Sequence, residues 1–250
     1  MGRLDIFLIL LGDILAVFLA AILFQRKLHK RYPLFFTYVV FSILSSVARL
    51  SASGNYRTYF KVYWSTEALY AVLAVLALQE AFRDVFRIDY EDWPWFRLIF
   101  PIAVAILAGF FISDALLHLP AQAPPLVFIV LSFDKVANFV QAGLFCLFFL
   151  LALLLTPRWH KFPFGIVIGF AVSASASAVI FAARSVFGTK LNLLGKYGPP
   201  VAYILGVLVW IGTCFQAPDP ELQPPRTGIL EALGTASEYS RFFKWITGRR

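Results

Sequence analysis

Glu67 is the residue whose type and position most directly suggest chemistry. It is the only charged side chain in the apolar run VYWSTEALYAVLAVLALQ, residues 62–79. A charge inside a membrane helix is expensive, and it normally pairs with another group or lines a cavity. Helix positions three and four apart share a face, so Glu67 lies above Tyr70, Ala74 and Ala77. Since rows of small residues let membrane helices approach closely, we expect Glu67 to point into a helix bundle.

Other polar side chains within or at the ends of apolar runs could join Glu67 in a ligand or ion pocket. The candidates are Asp13, Arg49, Tyr63, Glu67, Tyr70, Asp134, Lys135, Asn138, Gln141 and Arg184. We expect Glu67 to lie near Arg49 or Arg184, because a buried carboxylate needs a cation. The alternative is that these charges only hold helices together near the membrane surface, where desolvation is mild.

The order of the runs brings these ionisable groups to one end of the expected bundle. Asp134 lies in the same third of its run as Lys135, and we expect it near Lys135 or Asn138. The other end is expected to be held by Leu, Phe, Ala and Gly alone. The sequence therefore predicts a polar layer that opens at one membrane surface.

The composition indicates the elements that must position these groups. The 250 residues are 60% hydrophobic and only 14% charged, and the mean hydropathy is +0.77. Soluble domains average about 45–50% apolar and about 25% charged residues. Seven apolar runs occupy residues 6–24, 33–47, 62–79, 98–112, 126–155, 164–183 and 201–215. A helix of about 20 residues spans a bilayer, so the predicted fold is an all-α membrane protein with a seven-transmembrane-helix bundle.

The distribution of Lys and Arg predicts how the bundle is oriented. The side that holds the first, third and fifth loops and the C-terminus carries roughly twice as many of these residues as the other. Basic residues accumulate on the cytoplasmic side, which predicts the N-terminus outside and the C-terminus inside. The net charge of +8 then fits loops that face anionic membrane lipids, with no nucleic acid as a partner.

The chain divides into three parts. Residues 1–216 form the predicted seven-helix domain, 217–226 a Pro-rich linker, and 227–250 an amphipathic helix on the cytoplasmic side. Within the sixth run, Gly165, Gly169, Ser173 and Ser177 recur every four residues. Small residues at this spacing indicate a helix-packing face.

Motifs for enzymatic chemistry are missing from the sequence. No HExxH, GxSxG, Walker or GxGxxG pattern occurs, so we expect no enzyme, no metal and no cofactor. The acidic segment YEDW at residues 90–93 is interpreted as a solvated loop. Pro199 and Pro200 are expected at the end of a span, which does not favour the broken helices of transporters.

Three segments carry a resemblance to a known group of proteins. They are YPLFFTYVVFSIL (32–44), YWSTEALY (63–70) and FPFGIVIGFAVSASAS (162–177). Together they resemble an uncharacterised bacterial family of stand-alone seven-helix integral membrane proteins, which implies a fold and a bacterial inner (plasma) membrane but no chemistry. The layout is also similar to seven-helix sensor modules, although we expect no signalling domain in the 35 residues at 216–250 that follow the seventh run.

These observations favour a receptor- or sensor-like protein with a polar site in the outer half of the bundle. Its signal would pass through a protein partner that docks on the cytoplasmic loops or the C-terminal helix. The alternatives are a non-catalytic subunit of a larger membrane complex that binds lipid or pigment, and a small-solute transporter. A homo-oligomer is compatible with each.

Overall fold

The computed structural model describes residues 3–52, 54–117, 125–155, 161–187 and 192–215. Within these ranges the chain folds into nine α-helices. They are α1 (Arg3–Gln25), α2 (Leu28–Arg31), α3 (Pro33–Ser51), α4 (Tyr56–Val85), α5 (Arg87–Asp92), α6 (Phe96–Leu117), α7 (Pro125–Leu155), α8 (Lys161–Phe187) and α9 (Asn192–Cys214). The predicted linker at 217–226 and helix at 227–250 lie outside the described residues.

Six of these helices are long and apolar enough to cross a membrane. They are α1, α3, α6, α7, α8 and α9, with apolar stretches of 18–22 residues. Ile14, Ile106, Phe110 and Val179 are each at least 65% exposed, as expected for side chains that face lipid rather than water. The described part of the chain is therefore all-helical, with several potential membrane spans, as the composition predicts.

The helix α4 has a different character from the other long helices. It has 30 residues, about 45 Å at 1.5 Å per residue, yet it falls outside the six apolar spans. It runs antiparallel to α3 along the whole length of α3. Contacts join Arg49 to Glu67 near one end, and Phe35 to Glu80 near the other.

Local sequence explains the turn between these two helices. The side chain of Asn55 accepts hydrogen bonds from the backbone N–H groups of Arg57, at 3.0 Å, and of Thr58, at 3.3 Å. An Asn at this position satisfies N–H groups that have no partner within the helix. This cap fixes where α4 begins and brings it back along α3.

Two expectations about local structure are wrong. Pro199 and Pro200 lie inside α9, which begins at Asn192, and not at the end of a span. The segment 90–93 does not form a simple loop, because residues 90–92 belong to the short helix α5. Glu91 of α5 forms an i,i+4 ion pair with Arg87, with 2.9 Å between Nε and Oε1, a spacing that favours helix.

The helices α8 and α9 form the tightest part of the bundle. In α8, 61% of the apolar span is buried, against 11% in the peripheral α6. Gly165 lies against Thr213, and Gly169 lies against the indole of Trp210. Ser177 is buried and Ser173 is half-buried on the same helix. The small residues of α8 thus allow the large Trp210 of α9 to fit against its backbone.

Trp210 is the centre of an aromatic core. Its Nε1 donates a hydrogen bond to the Ile166 carbonyl oxygen at 3.1 Å. The rings of Phe35, Tyr38 and Phe170 lie edge-on to the indole, with centroids 5.2, 5.9 and 5.0 Å away. Helices α3, α8 and α9 meet in this core, which closes the bundle below the polar side chains described next.

Candidate functional site

The ion pair between Arg49 and Glu67 is the principal polar feature near one end of the bundle. The Arg49 Nη2 atom lies 2.7 Å from the Glu67 Oε2 atom. The Nε of Arg49 donates to Thr66 Oγ1 at 2.9 Å, and the guanidinium carbon lies 4.5 Å from the centre of the Tyr63 ring. One arginine of α3 therefore contacts three side chains within a little more than one turn of α4.

The Arg49–Glu67 pair is only partly buried. The side chains of Arg49 and Glu67 retain 24% and 21% of their exposure. Hydrogen bonds of charged groups are stronger than neutral ones, and a cation over an aromatic ring adds a further attraction. The arrangement fixes both charges in place while leaving each accessible to a small molecule or to water.

A second set of polar contacts continues from the ion pair into the bundle. Ser46 Oγ donates to the Asp13 carboxylate at 2.7 Å. One turn further along α3, Ser42 Oγ lies 3.0 Å from the Tyr203 hydroxyl. These contacts join α3 to α1 and to α9, two helices that the ion pair does not reach.

Tyrosine hydroxyls form the deepest part of this arrangement. The hydroxyls of Tyr38 and Tyr70 are hydrogen-bonded to each other, and the Tyr203 hydroxyl reaches α3 through Ser42. We call the whole set the polar column. Its members are Asp13, Tyr38, Ser42, Ser46, Arg49, Thr66, Glu67, Tyr70 and Tyr203.

The polar column follows one face of α3. Its four members on that helix lie three or four residues apart, which places them on one side. From Tyr38 to Arg49 it spans about 16 Å at 1.5 Å per residue. It ends at the aromatic core, where the ring of Tyr38 packs against Phe170 with 4.8 Å between centroids.

The structure brings together only some of the predicted site residues. Asp13, Arg49, Tyr63, Glu67 and Tyr70 are at or within the polar column, and Arg49, one of the two predicted cations, pairs with Glu67. The side chains of Asp134, Lys135 and Arg184 lie outside the described part of the chain. Asn138 and Gln141 are half-buried on α7, which packs against α4, α6 and α8.

Comparison with known proteins adds no identification. No protein-family model, no curated protein and no solved structure matches the chain. The resemblance to a bacterial seven-helix family therefore remains a prediction from the three quoted segments.

The opposite end of α3 has polar contacts that the sequence analysis missed. Pro33 begins the helix and has no N–H group. The next two N–H groups, of Leu34 and Phe35, donate to the Glu80 carboxylate at 3.3 and 3.0 Å. Glu80 itself is buried. The expectation that this end is held by apolar residues alone is therefore wrong, because the N-terminus of α3 needs acceptors inside the bundle.

Asp84 lies one turn beyond Glu80 and binds the residues just before α3. It accepts a hydrogen bond from the Tyr32 hydroxyl at 2.6 Å and pairs with Arg31 at 3.2 Å. Burial, with the negative charge of Asp84 nearby, raises the pKa of Tyr32 far above its ordinary value. The phenol therefore stays protonated and donates to Asp84. Two acids four residues apart, just after an apolar run, were the signal for this contact.

Glu80→Ala is expected to destabilise the protein by about 1–2 kcal/mol, because two helix N–H groups lose their acceptor. Glu80→Gln keeps one amide oxygen and is expected to lose roughly half as much. Thermal unfolding in detergent measures both. If the Ala variant were as stable as the Gln variant, the carboxylate would not be capping α3.

Proposed function

We propose that the protein is a receptor- or sensor-like membrane protein whose polar column opens to the outer surface. The observation that supports this most is the Arg49–Glu67 pair, which is fixed by several contacts yet about a fifth to a quarter exposed. An ion pair that only joined two helices would need no further polar side chains beside it in the bundle. Here, hydroxyls and a carboxylate extend it about 16 Å into the bundle.

In this proposal α4 is the seventh crossing. Because α4 is antiparallel to α3 along all of α3, it passes through the same thickness of membrane. Its charges do not prevent this, since Glu67 is paired with Arg49, and Glu80 receives two backbone hydrogen bonds. Intramembrane charges that are paired in this way are tolerated.

Seven crossings combined with the distribution of Lys and Arg give an N-terminus outside and a C-terminus inside. The Arg49–Glu67 end then faces outward. Binding there would alter the contacts among α1, α3, α4 and α9, all of which contribute to the polar column. A protein partner on the basic cytoplasmic side would receive that change.

A small-solute transporter is the second candidate, and it rests on the position of the two prolines in α9. Proline cannot donate its backbone hydrogen bond, so Pro199 and Pro200 leave carbonyl groups of the preceding turn without their helical partners. Tyr203 of the polar column follows one turn later. Interrupted helices beside a polar site are typical of transporters.

Cysteine labelling tests whether the polar column is reached from outside. In right-side-out membrane vesicles, a membrane-impermeant methanethiosulfonate is expected to modify Thr66→Cys beyond the wild-type background of Cys146 and Cys214. Ala77→Cys is the matched control on the same helix, because Ala77 is fully buried, and it is expected to stay unmodified. Labelling of Thr66→Cys only in inverted vesicles, or in neither preparation, would reject an outward-facing site.

A further inference from the structure

A second, separate groove lies where α1 ends and α2 begins. It has a volume of about 410 Å³ and is lined by Phe24, Gln25, Lys27, His29 and Lys30. We call it the basic groove. It lies at the end of the bundle opposite Arg49 and Glu67, and none of its residues belongs to the polar column.

The backbone brings the two lysines of the basic groove together. Lys27 adopts a left-handed conformation, with φ 57° and ψ 17°, an uncommon one for a residue other than Gly. The N–H of Lys30 donates to the Lys27 carbonyl at 3.2 Å, so the chain reverses within one tight turn. Both lysines thereby line one small groove and not opposite surfaces.

The charges of these lysines are not neutralised within the part of the chain that the structure describes. The ion pairs there involve Arg31, Arg49 and Arg87, and neither Lys27 nor Lys30 has a carboxylate within 4 Å. The neighbouring Arg31 is held by Asp84. Among the described residues, the basic groove is therefore lined by two cations and no acid, which favours an anionic ligand.

His29 supplies a third donor of defined orientation. Its ring stacks on Phe24, with 4.8 Å between centroids, and contacts Phe36. Its Nδ1 is buried without a hydrogen-bond partner. A buried N–H without an acceptor is costly, so Nε2 is the ring nitrogen that is placed to donate. Besides Phe24, the basic groove is thus lined by side chains that can donate: two ammonium groups, an imidazole N–H and the Gln25 amide.

We propose that the basic groove binds the phosphate group of an anionic phospholipid. The position favours a lipid as the source of the phosphate, because the groove lies between the end of α1 and the start of α3 in the chain, and both helices are long and apolar enough to span a membrane. The Phe24 side chain is 64% exposed beside the lysines, which gives the first carbons of an acyl chain an apolar surface. Basic pockets at helix ends on a membrane surface bind lipid headgroups in this way. The inference depends on the membrane-spanning role of α1 and α3 but not on the polar column.

Lipid titration of the full chain in detergent, followed by native mass spectrometry, tests this proposal. Phosphatidylglycerol is expected to bind several-fold more tightly than phosphatidylcholine with the same acyl chains. The double variant Lys27→Gln/Lys30→Gln is expected to lose on the order of tenfold in phosphatidylglycerol affinity, because each basic residue near an anionic lipid contributes a several-fold factor. Both lysines are exposed, so thermal stability should not change.

The matched control is Arg57→Gln/Lys61→Gln. It removes the same charge from two exposed positions of α4 at the other end of the bundle, and it should leave lipid binding unchanged. An equal loss in this control, or equal binding of both lipids by the wild type, would overturn the proposal.

Two further experiments test whether His29 donates to the phosphate and whether the phosphate belongs to a lipid. His29→Phe keeps the packing against Phe24 and Phe36 but removes the N–H, and it is expected to lower phosphatidylglycerol affinity several-fold. Unchanged affinity would remove His29 from the site. Excess inorganic phosphate is expected to leave the lipid bound, whereas displacement of the lipid would show a soluble-phosphate site and overturn the lipid assignment. A negative result in any of these experiments does not affect the proposal that the polar column faces outward, because cysteine labelling tests that proposal independently.

Discussion

Leucine in place of Gly169 is expected to prevent α8 and α9 from packing together. Even a methyl group at Gly169 would overlap the Trp210 indole. That indole cannot move aside, because it is 1% exposed, hydrogen-bonded to Ile166 and surrounded by aromatic rings. Overpacking a core costs about 1–3 kcal/mol and occasionally more. We expect Gly169→Leu to lie at the upper end of that range or beyond it, with aggregation in size-exclusion chromatography and a large drop in melting temperature.

Two glycines elsewhere in the bundle provide matched controls. A Cβ atom at Gly109 of α6 or at Gly212 of α9 would meet nothing within 4 Å. Gly109→Leu and Gly212→Leu are therefore expected to change the free energy of unfolding by less than about 1 kcal/mol, and higher helix propensity acts in their favour. If these variants were as damaging as Gly169→Leu, the effect would come from glycine replacement in general and not from the α8–α9 contact.

Arg49→Met is expected to destabilise the protein by about 2–4 kcal/mol, because it leaves the Glu67 carboxylate partly buried without a cation. The difference in stability between the double variant and the single variant gives the sharper test. Arg49→Met/Glu67→Met removes both charges and should be more stable than Arg49→Met alone. Thermal or denaturant unfolding in detergent measures the four members of this cycle.

The exposed pair Arg87–Glu91 is the control for this cycle. Its side chains are 68% and 64% exposed, and exposed pairs of this kind contribute about 0–1 kcal/mol. Arg87→Met should therefore have little effect. If Arg49→Met were equally mild, water would already solvate the Glu67 carboxylate, and the ion pair would not be part of the fold.

Glu67→Gln distinguishes a site from a structural contact. The amide oxygen that this substitution introduces can still accept a hydrogen bond from Arg49, so a protein that uses this pair as a site should assemble normally and lose only its response. Failure of Glu67→Gln to assemble would favour the interpretation that the pair only holds α3 to α4. The proposed receptor-like function would then lose its main support.

The sequence alone determined the class of fold and showed which polar groups need a partner inside it. Apolar runs of membrane length predicted helices, because each helix satisfies its own backbone in lipid. A carboxylate in such a run predicted a cation nearby, and Arg49 was one of two candidates. Small residues every four positions predicted a close helix contact, and Gly165 and Gly169 lie against α9.

Only the tertiary structure decided which faces meet. Helix periodicity identifies the polar face of α3, but it cannot show that Tyr203 of α9 and Asp13 of α1 approach that face. The sequence likewise could not show that Glu80 caps α3, because the N–H groups that donate to Glu80 lie 45 and 46 residues away in the chain. The physical reason is that lipid and a neighbouring apolar helix are nearly equivalent surroundings for an apolar side chain. The choice of neighbours therefore depends on shape and on a few polar contacts, which no single helix sequence contains.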